Sequence, residues 1–170
     1  QEKYDWPKII IASAGKNQKN RTIEFSRRLN GAMSISASVQ STDPEVLKIS
    51  KRDNVSIEVL KDLALSNEHQ HDTFSEIIMC LPGDTYKKHI KSVKDMMDCR
   101  ITQISTLQLM LLPDTPMLSP SYIEKHGLDK RYRLLTKGRC QMNLNGKLET
   151  VAEIETICVG NPDMDFEDYL

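Results

Sequence analysis

The sequence predicts an α/β fold, with parallel βα units forming part of a TIM-like barrel and a small C-terminal extension. Three observations predict it. Strand-like runs at residues 8–13, 32–39, 74–81 and 101–112 alternate with segments of helical spacing, the pattern of strands joined by crossover helices. Three of these runs end in polar or Pro-containing turns that open helices: Ser38-Val39-Gln40-Ser41, Leu81-Pro82-Gly83-Asp84-Thr85 and Leu112-Pro113-Asp114-Thr115-Pro116. Right-handed crossovers place those turns on one end of the sheet, where α/β barrels hold ligands and where one ligand could touch all three. Finally, the chain has 170 residues, whereas a complete eight-stranded barrel needs about 250. The reading is therefore a partial barrel over residues 1–118 and an extension over 119–170.

The first strand is the continuous apolar run at 8–13. Asn20 can cap a helix over 21–29, and Asn30-Gly31 supplies a left-handed stop before the strand at 32–39. Thr42-Asp43-Pro44-Glu45 reads as a capping box with Thr42 as the cap and Pro44 in the first turn. Val46, Leu47 and Ile49 form the buried side of that helix. Ser56 can cap the next, where Ile57, Leu60, Leu63 and Ala64 recur at helical spacing before a polar stretch at 66–73. After the strand at 74–81, Asp84 or Thr85 caps a helix whose Tyr86, Ile90, Val93 and Met97 share one face, and 101–112 resumes the sheet. The order is β-α-β-α-α-β-α-β.

Past Pro113 the organisation changes. Pro113, Pro116 and Pro120 punctuate a loop, a short helix covers 121–126, and 131–139 is strongly basic. Asn145-Gly146 between 141–144 and 147–150 is a two-residue hairpin signal, while 151–159 suits strand or helix equally. Residues 166–170 read as the first turn of a helix cut short, and the chain reads as truncated at both ends.

A net charge of −1 with 28% charged residues of mixed sign gives no footprint for nucleic acid or an acidic membrane surface. No apolar run approaches the roughly 20 residues of a membrane span, and no leader segment is visible. A cytoplasmic location is expected. Cys80, Cys99, Cys140 and Cys158 are too widely spaced for a zinc knuckle or a compact disulfide framework.

Ser38-Val39-Gln40-Ser41-Thr42-Asp43, Lys51-Arg52-Asp53-Asn54, and Glu76-Ile77-Ile78-Met79-Cys80-Leu81-Pro82-Gly83-Asp84-Thr85 together resemble the later strands of radical S-adenosylmethionine (radical SAM) enzymes, in the branch that carries a cobalamin-binding domain. Trp6-Pro7-Lys8-Ile9, Ala14-Gly15-Lys16-Asn17, Leu112-Pro113-Asp114-Thr115-Pro116-Met117 and residues 149–170 extend the resemblance over nearly the whole chain. It implies strands three to six of a six-stranded partial barrel. It also implies S-adenosylmethionine as a cofactor, with a 4Fe-4S cluster and cobalamin in the parent protein on ligands outside this chain.

On that resemblance Gln40 hydrogen-bonds polar groups of S-adenosylmethionine, and Arg52 faces the methionine carboxylate or the ribose, a task suited to a planar guanidinium. Glu76 accepts ribose hydroxyls, Ile78 packs on adenine, and Leu112 and Pro113 close the adenine side. Cys80 and Asp114 stand where the family has glycine, and Asp84 replaces a glutamate or glutamine. The Asp-x-His-x-x-Gly cobalamin signature is absent, and His69, His71, His89 and His126 lack its context. The cluster cysteines are not in this chain, so it is expected not to catalyse alone. Its expected partners are the missing N-terminal half or a second copy, and a small-molecule substrate.

Each residue also has an ordinary reading. Gln40 can satisfy a neighbouring loop, Arg52 can be a helix C-terminal cation, and Glu76 a surface carboxylate. Cys80 and Cys99 suit small buried positions, and Met96, Met97, Met110 and Met117 suit core filling. Two rival functions accompany the first: a non-catalytic accessory domain on the same scaffold, and a nucleotide- or phosphate-binding α/β enzyme using the turns at 38–42 and 81–85.

Overall fold

Parallel strands need crossover connections, and in this chain they assemble from segments far apart in sequence. The structure, a computed structural model, describes residues 3–4, 6–8, 10–13, 24–25, 28–29, 32–36, 38–52, 57–58, 61 and 73–170. The chain divides into two compact units: Gln1–Ile78 with Lys87–Leu107, and Met79–Tyr86 with Gln108–Leu170. Residues 108–118, grouped by sequence with the barrel piece, lie in the second unit.

The first unit holds a sheet ordered β1 (Ile10–Ser13), β2 (Met33–Ser36), β3 (Phe74–Met79), β4 (Gln103–Gln108). β1 and β2 run parallel from Ile10↔Met33 to Ser13↔Ser36, and β2 meets β3 in parallel at Ser36↔Phe74. The pairing continues past β2, where the Ile78 amide donates to the Gln40 carbonyl at 2.9 Å. The α/β class and parallel strands match the sequence reading. Among the described residues the sheet is open, with β1 and β4 at its edges.

Along β3 the period of two sends Ser75 and Ile77 to one face and Glu76 and Ile78 to the other. Ser75 and Ile77 are fully buried. Ile77 joins Val39, Met96 and Cys99 in a core against which Ile57, Val93, Ile101 and Ile104 pack.

Helix α1 (Pro44–Ile49) starts one residue later than the capping-box reading. Asp43 is its cap, with Oδ1 accepting from the amides of Glu45 and Val46 at 3.0 Å each, and Pro44 opens the first turn. Thr42 is not the cap because its hydroxyl donates to Asp95 at 2.6 Å. Only Val46 of the expected apolar side is fully buried, and Ile49 is exposed.

Helix α2 (Tyr86–Asp98) buries His89, Ser92 and Met96. Of the expected Tyr86, Ile90, Val93 and Met97 face, Tyr86 and Met97 are exposed, at 51% and 63%, while Val93 packs against the core. The fully buried positions are partly polar, so a hydropathy pattern finds only part of the inward side. Met110 is also exposed, unlike the fully buried Met96. Asn20, Asn30-Gly31, Ser56, Leu60, Leu63, Ala64, His69 and His71 lie outside the described residues.

In the second unit, β5 (Asp129–Leu144) and β6 (Lys147–Gly160) form a long antiparallel hairpin. Asn145 and Gly146 turn it with φ of 54° and 83°, the paired positive values of a type I′ turn. The segment at 151–159 is therefore strand. Residues 109–111, expected to extend the parallel sheet, instead pair with β6 through Met110↔Ile157, with Leu111 N–H donating to Thr156 O and Cys158 N–H to Leu109 O. Helix α3 (Pro120–His126) is capped by the Ser119 hydroxyl and stopped by Gly127 at φ 58°. The final turn, α4 (Phe166–Tyr169), has Asp165 as its cap.

Candidate functional site

The ends of β2 and β3 bring three expected site residues together. Val39 and Ile77 point into the core, so the alternating residues Ser38, Gln40, Glu76 and Ile78 belong to the opposite face. The Ser38 hydroxyl donates to Glu76 Oε2 at 2.8 Å, which puts those two side chains on the same side. Gln40 is buried, its amide Nε2 lies 3.4 Å from Ser38 O, and its own carbonyl receives the Ile78 amide. Glu76 and Ile78 are half-buried.

A carboxylate oxygen that already accepts a serine hydroxyl is chemically able to accept a sugar hydroxyl, and a carboxylate has acceptor capacity for more than one. The apolar Ile78 beside it offers a packing surface. Gln40 realises its ordinary structural role in part, because its side chain bonds a nearby backbone carbonyl.

Arg52 is placed differently. Lys51, at φ 52°, occupies the left-handed position after α1. The Lys51 and Arg52 amides close the helix on Lys48 O and Leu47 O at 3.2 and 2.9 Å, a Schellman ending built without glycine. The Arg52 side chain is exposed, and among the described residues no hydrogen bond or ion pair joins it to Gln40 or Glu76.

The loop that carries Gln40 is tied to α2. Ser92, fully buried, accepts a hydrogen bond from the Thr42 amide at 3.0 Å, and its oxygen lies 3.1 Å from Thr42 Oγ1 and 3.4 Å from Ser41 Oγ. Thr42 and Lys91 both donate to Asp95 Oδ2 at 2.6 Å. Burial pushes the Asp95 carboxyl up, but the Lys91 ammonium and Thr42 hydroxyl outweigh it and hold the group below its ordinary value. Lys88 spans from α2 to Asp43 and Glu45 at 3.5 and 3.2 Å.

Leu112 and Pro113 are exposed and lie in the second unit. They open a turn in which the Thr115 amide donates to Leu112 O at 3.3 Å and Asp114 has φ 60°. Leu81-Pro82-Gly83-Asp84 makes the same turn, with Asp84 N–H donating to Leu81 O at 2.9 Å and Gly83 at φ 78°. Proline second and a positive φ third is the type II signature. Cys80 precedes this turn at φ 62°. At both positions where the resemblance expects glycine, the backbone thus takes the left-handed conformation with a side chain present.

Sequence reasoning missed Asn161. Its buried amide donates to Leu81 O at 3.0 Å and Asp84 O at 3.3 Å, while its Oδ1 accepts from the Asp163 amide at 2.9 Å. Cys158 Sγ donates to Gly160 O at 3.1 Å and lies 3.8 Å from Cys80 O. Burial, then Cys158 and Asp84, push the Cys80 thiol up to about 12, and burial also raises Cys158. The ordinary reading of Cys80 and Cys99 holds, since both are fully buried. Among the described residues no three His, Cys, Asp or Glu side chains are grouped to hold a metal ion. No described helix is long and apolar enough to cross a membrane.

No family model matches the chain. It is 27% identical over 130 residues to the cobalamin-dependent radical SAM methyltransferase TokK of Streptomyces tokunonensis. It is 28% identical over 128 residues to a 2-(S-pantetheinyl)-carbapenam-3-carboxylate methyltransferase of Streptantibioticus cattleyicolor. Each match takes in 72% of this chain and 19% of the relative, so the chain matches about a fifth of the length of either. This distant likeness supports a radical SAM, cobalamin-related family at that level and no finer.

Proposed function

We propose that this chain is the later part of a radical SAM barrel in a protein related to cobalamin-dependent methyltransferases. It supplies contacts to S-adenosylmethionine and to a small-molecule substrate. The observation that carries this reading is the grouping of Ser38, Gln40, Glu76 and Ile78 at the ends of neighbouring parallel strands, on the face opposite the helix-packed core. The distant relatives support the same family level.

The residues present suit the nucleoside part of the cofactor. Glu76, already engaged by one hydroxyl, is assigned the ribose diol, Ile78 the adenine face, and Gln40 a polar group reached by its amide. Arg52 is assigned the methionine carboxylate, and Leu112 and Pro113 the adenine side. These last three assignments rest on the resemblance. Bound to a reduced 4Fe-4S cluster, S-adenosylmethionine supplies radical chemistry, and cobalamin supplies methyl transfer. Among the described residues no three cysteines are grouped to hold the cluster, and Cys80, Cys99 and Cys158 are buried with thiols raised by burial. Its ligands, and those of cobalamin, are assigned to other parts of a longer protein. In that protein β1–β4 are strands three to six of the partial barrel, and a preceding strand pairs with the edge of β1.

Anaerobic calorimetric titration with S-adenosylmethionine tests the reading. Glu76→Gln and Gln40→Ala are each expected to weaken binding by about tenfold, the scale of one charge-assisted or buried hydrogen bond. Unchanged affinity in both variants, or a parent chain that prefers inorganic phosphate, contradicts it.

A further inference from the structure

We propose that the open edge of β5 takes a strand from a second copy of this chain, residues 148–155 of that copy's β6, in a head-to-tail contact. This goes beyond the function proposed above and does not depend on it. β5 and β6 form a two-stranded sheet, so each strand has one further edge. On β6 that edge is covered at 156–158 by residues 109–111. Among the described residues no strand pairs with the outer edge of β5 or with the rest of the outer edge of β6. Such an edge is a row of amides and carbonyls ready to take another strand.

Charge selects the occupant. Residues 130–139 of β5 carry five cations, Lys130, Arg131, Arg133, Lys137 and Arg139, and no carboxylate. Residues 148–155 of β6 carry three carboxylates, Glu149, Glu153 and Glu155, and no cation. Among the described residues no ion pair engages Lys137, Arg139 or Glu153. Pairing β5 with the β5 of a second copy sets like charges side by side, which opposes that contact. Pairing it with β6 sets opposite charges side by side, as the hairpin itself does where Arg133 meets Glu155 at 2.7 Å.

The apolar pattern fits the same occupant. Leu134 stands opposite Ile154, and Tyr132 lies two residues from Leu134, so the three share one face. All three are exposed, as is Leu148, which has the parity of Ile154. An antiparallel addition that sets the second copy's Ile154 beside Tyr132 brings its Glu155 beside Arg131 and its Glu153 beside Arg133. One register thus satisfies both faces, continuing the apolar patch onto a third strand and pairing the charges behind it. Because the two edges differ, the contact is heterologous and leaves one edge of each kind free, so it grows into chains or rings and not into a two-fold dimer.

Sedimentation and hydrogen exchange of the whole chain at rising concentration test the proposal, with two variants. Arg131→Glu/Lys137→Glu/Arg139→Glu reverses charge along the β5 edge, and Glu149→Lys/Glu153→Lys along the β6 edge. In the unsubstituted chain, exchange at 130–139 and 148–155 is expected to slow as concentration rises, with the β3 amides unchanged. Each variant alone is expected to self-associate about tenfold more weakly. Their mixture is expected to form a one-to-one dimer that grows no further, because each variant keeps the edge that the other has lost. An unsubstituted chain that is monomeric at every concentration overturns the proposal, and so does self-association that leaves 130–139 unprotected, the result of pairing through β1 alone. A mixture no more associated than its components overturns it when exchange shows both hairpins folded; where a variant does not fold, the concentration dependence in the unsubstituted chain decides. If that chain stays monomeric while an added peptide of alternating acidic and apolar residues protects 130–139, the edge belongs to a strand of another protein and the second copy is excluded.

Discussion

Asp114 holds the third position of a type II turn at φ 60°, the position that Gly83 fills at φ 78° in the Leu81–Asp84 turn. A side chain in the left-handed region costs about 1–2 kcal/mol, and glycine's extra freedom in the unfolded chain offsets about 0.5–1 kcal/mol of any gain. Asp114→Gly is therefore expected to stabilise the protein by about 0.5–1 kcal/mol in denaturant unfolding, and Gly83→Asp to destabilise it by a similar amount. A lower midpoint for Asp114→Gly contradicts this. The two positive φ values at Cys80 and Asp114 were legible as places where the resemblance wants glycine. Asn161 was not legible, because a buried amide serving distant carbonyls leaves no periodic signal. The thiols give a second check: Cys140 is exposed while Cys80, Cys99 and Cys158 are buried. Alkylation of the native protein should modify Cys140 alone, and rapid labelling of Cys80 would contradict its burial.

Elements are joined here by polar as well as apolar contacts. Ser92 links the 41–42 loop to α2 by accepting from the Thr42 amide, so Ser92→Ala leaves that part-buried donor without its acceptor. It should cost about 1–3 kcal/mol, read as a lower unfolding midpoint, and no change would show that the loop finds other partners. Asp95 adds a pH dependence. Its folded-state pKa lies below the ordinary 3.8, so its stabilisation is present above that value and is lost as pH falls through the folded one. The stability gap between the parent and Asp95→Asn should therefore shrink below about pH 4, and a gap that widens on acidification contradicts the sign. This polar stripe explains why the face of α2 was legible only in part, since His89 and Ser92 are not apolar. The hairpin was legible because Asn-Gly demands a particular turn whatever surrounds it. The switch of 109–111 onto β6 was not, because its apolar run suits either sheet.

At the scale of the whole molecule, strand and helix alternation was enough to predict parallel neighbours, and the class follows from it. The grouping of Gln40, Glu76 and Ile78 was legible from strand ends and the period of two. The place of Arg52 was not, since it depends on how α1 terminates. Among the described residues β1 is an edge of the sheet, so sedimentation at rising concentration should show self-association. A monomer at every concentration contradicts that expectation. The central claim is that S-adenosylmethionine meets the face shared by the ends of β2 and β3. Amide NMR spectra recorded during its titration test this most directly: the account predicts shifts concentrated at residues 38–40 and 76–78 and lost in Glu76→Gln, and a titration that leaves those amides unmoved contradicts it.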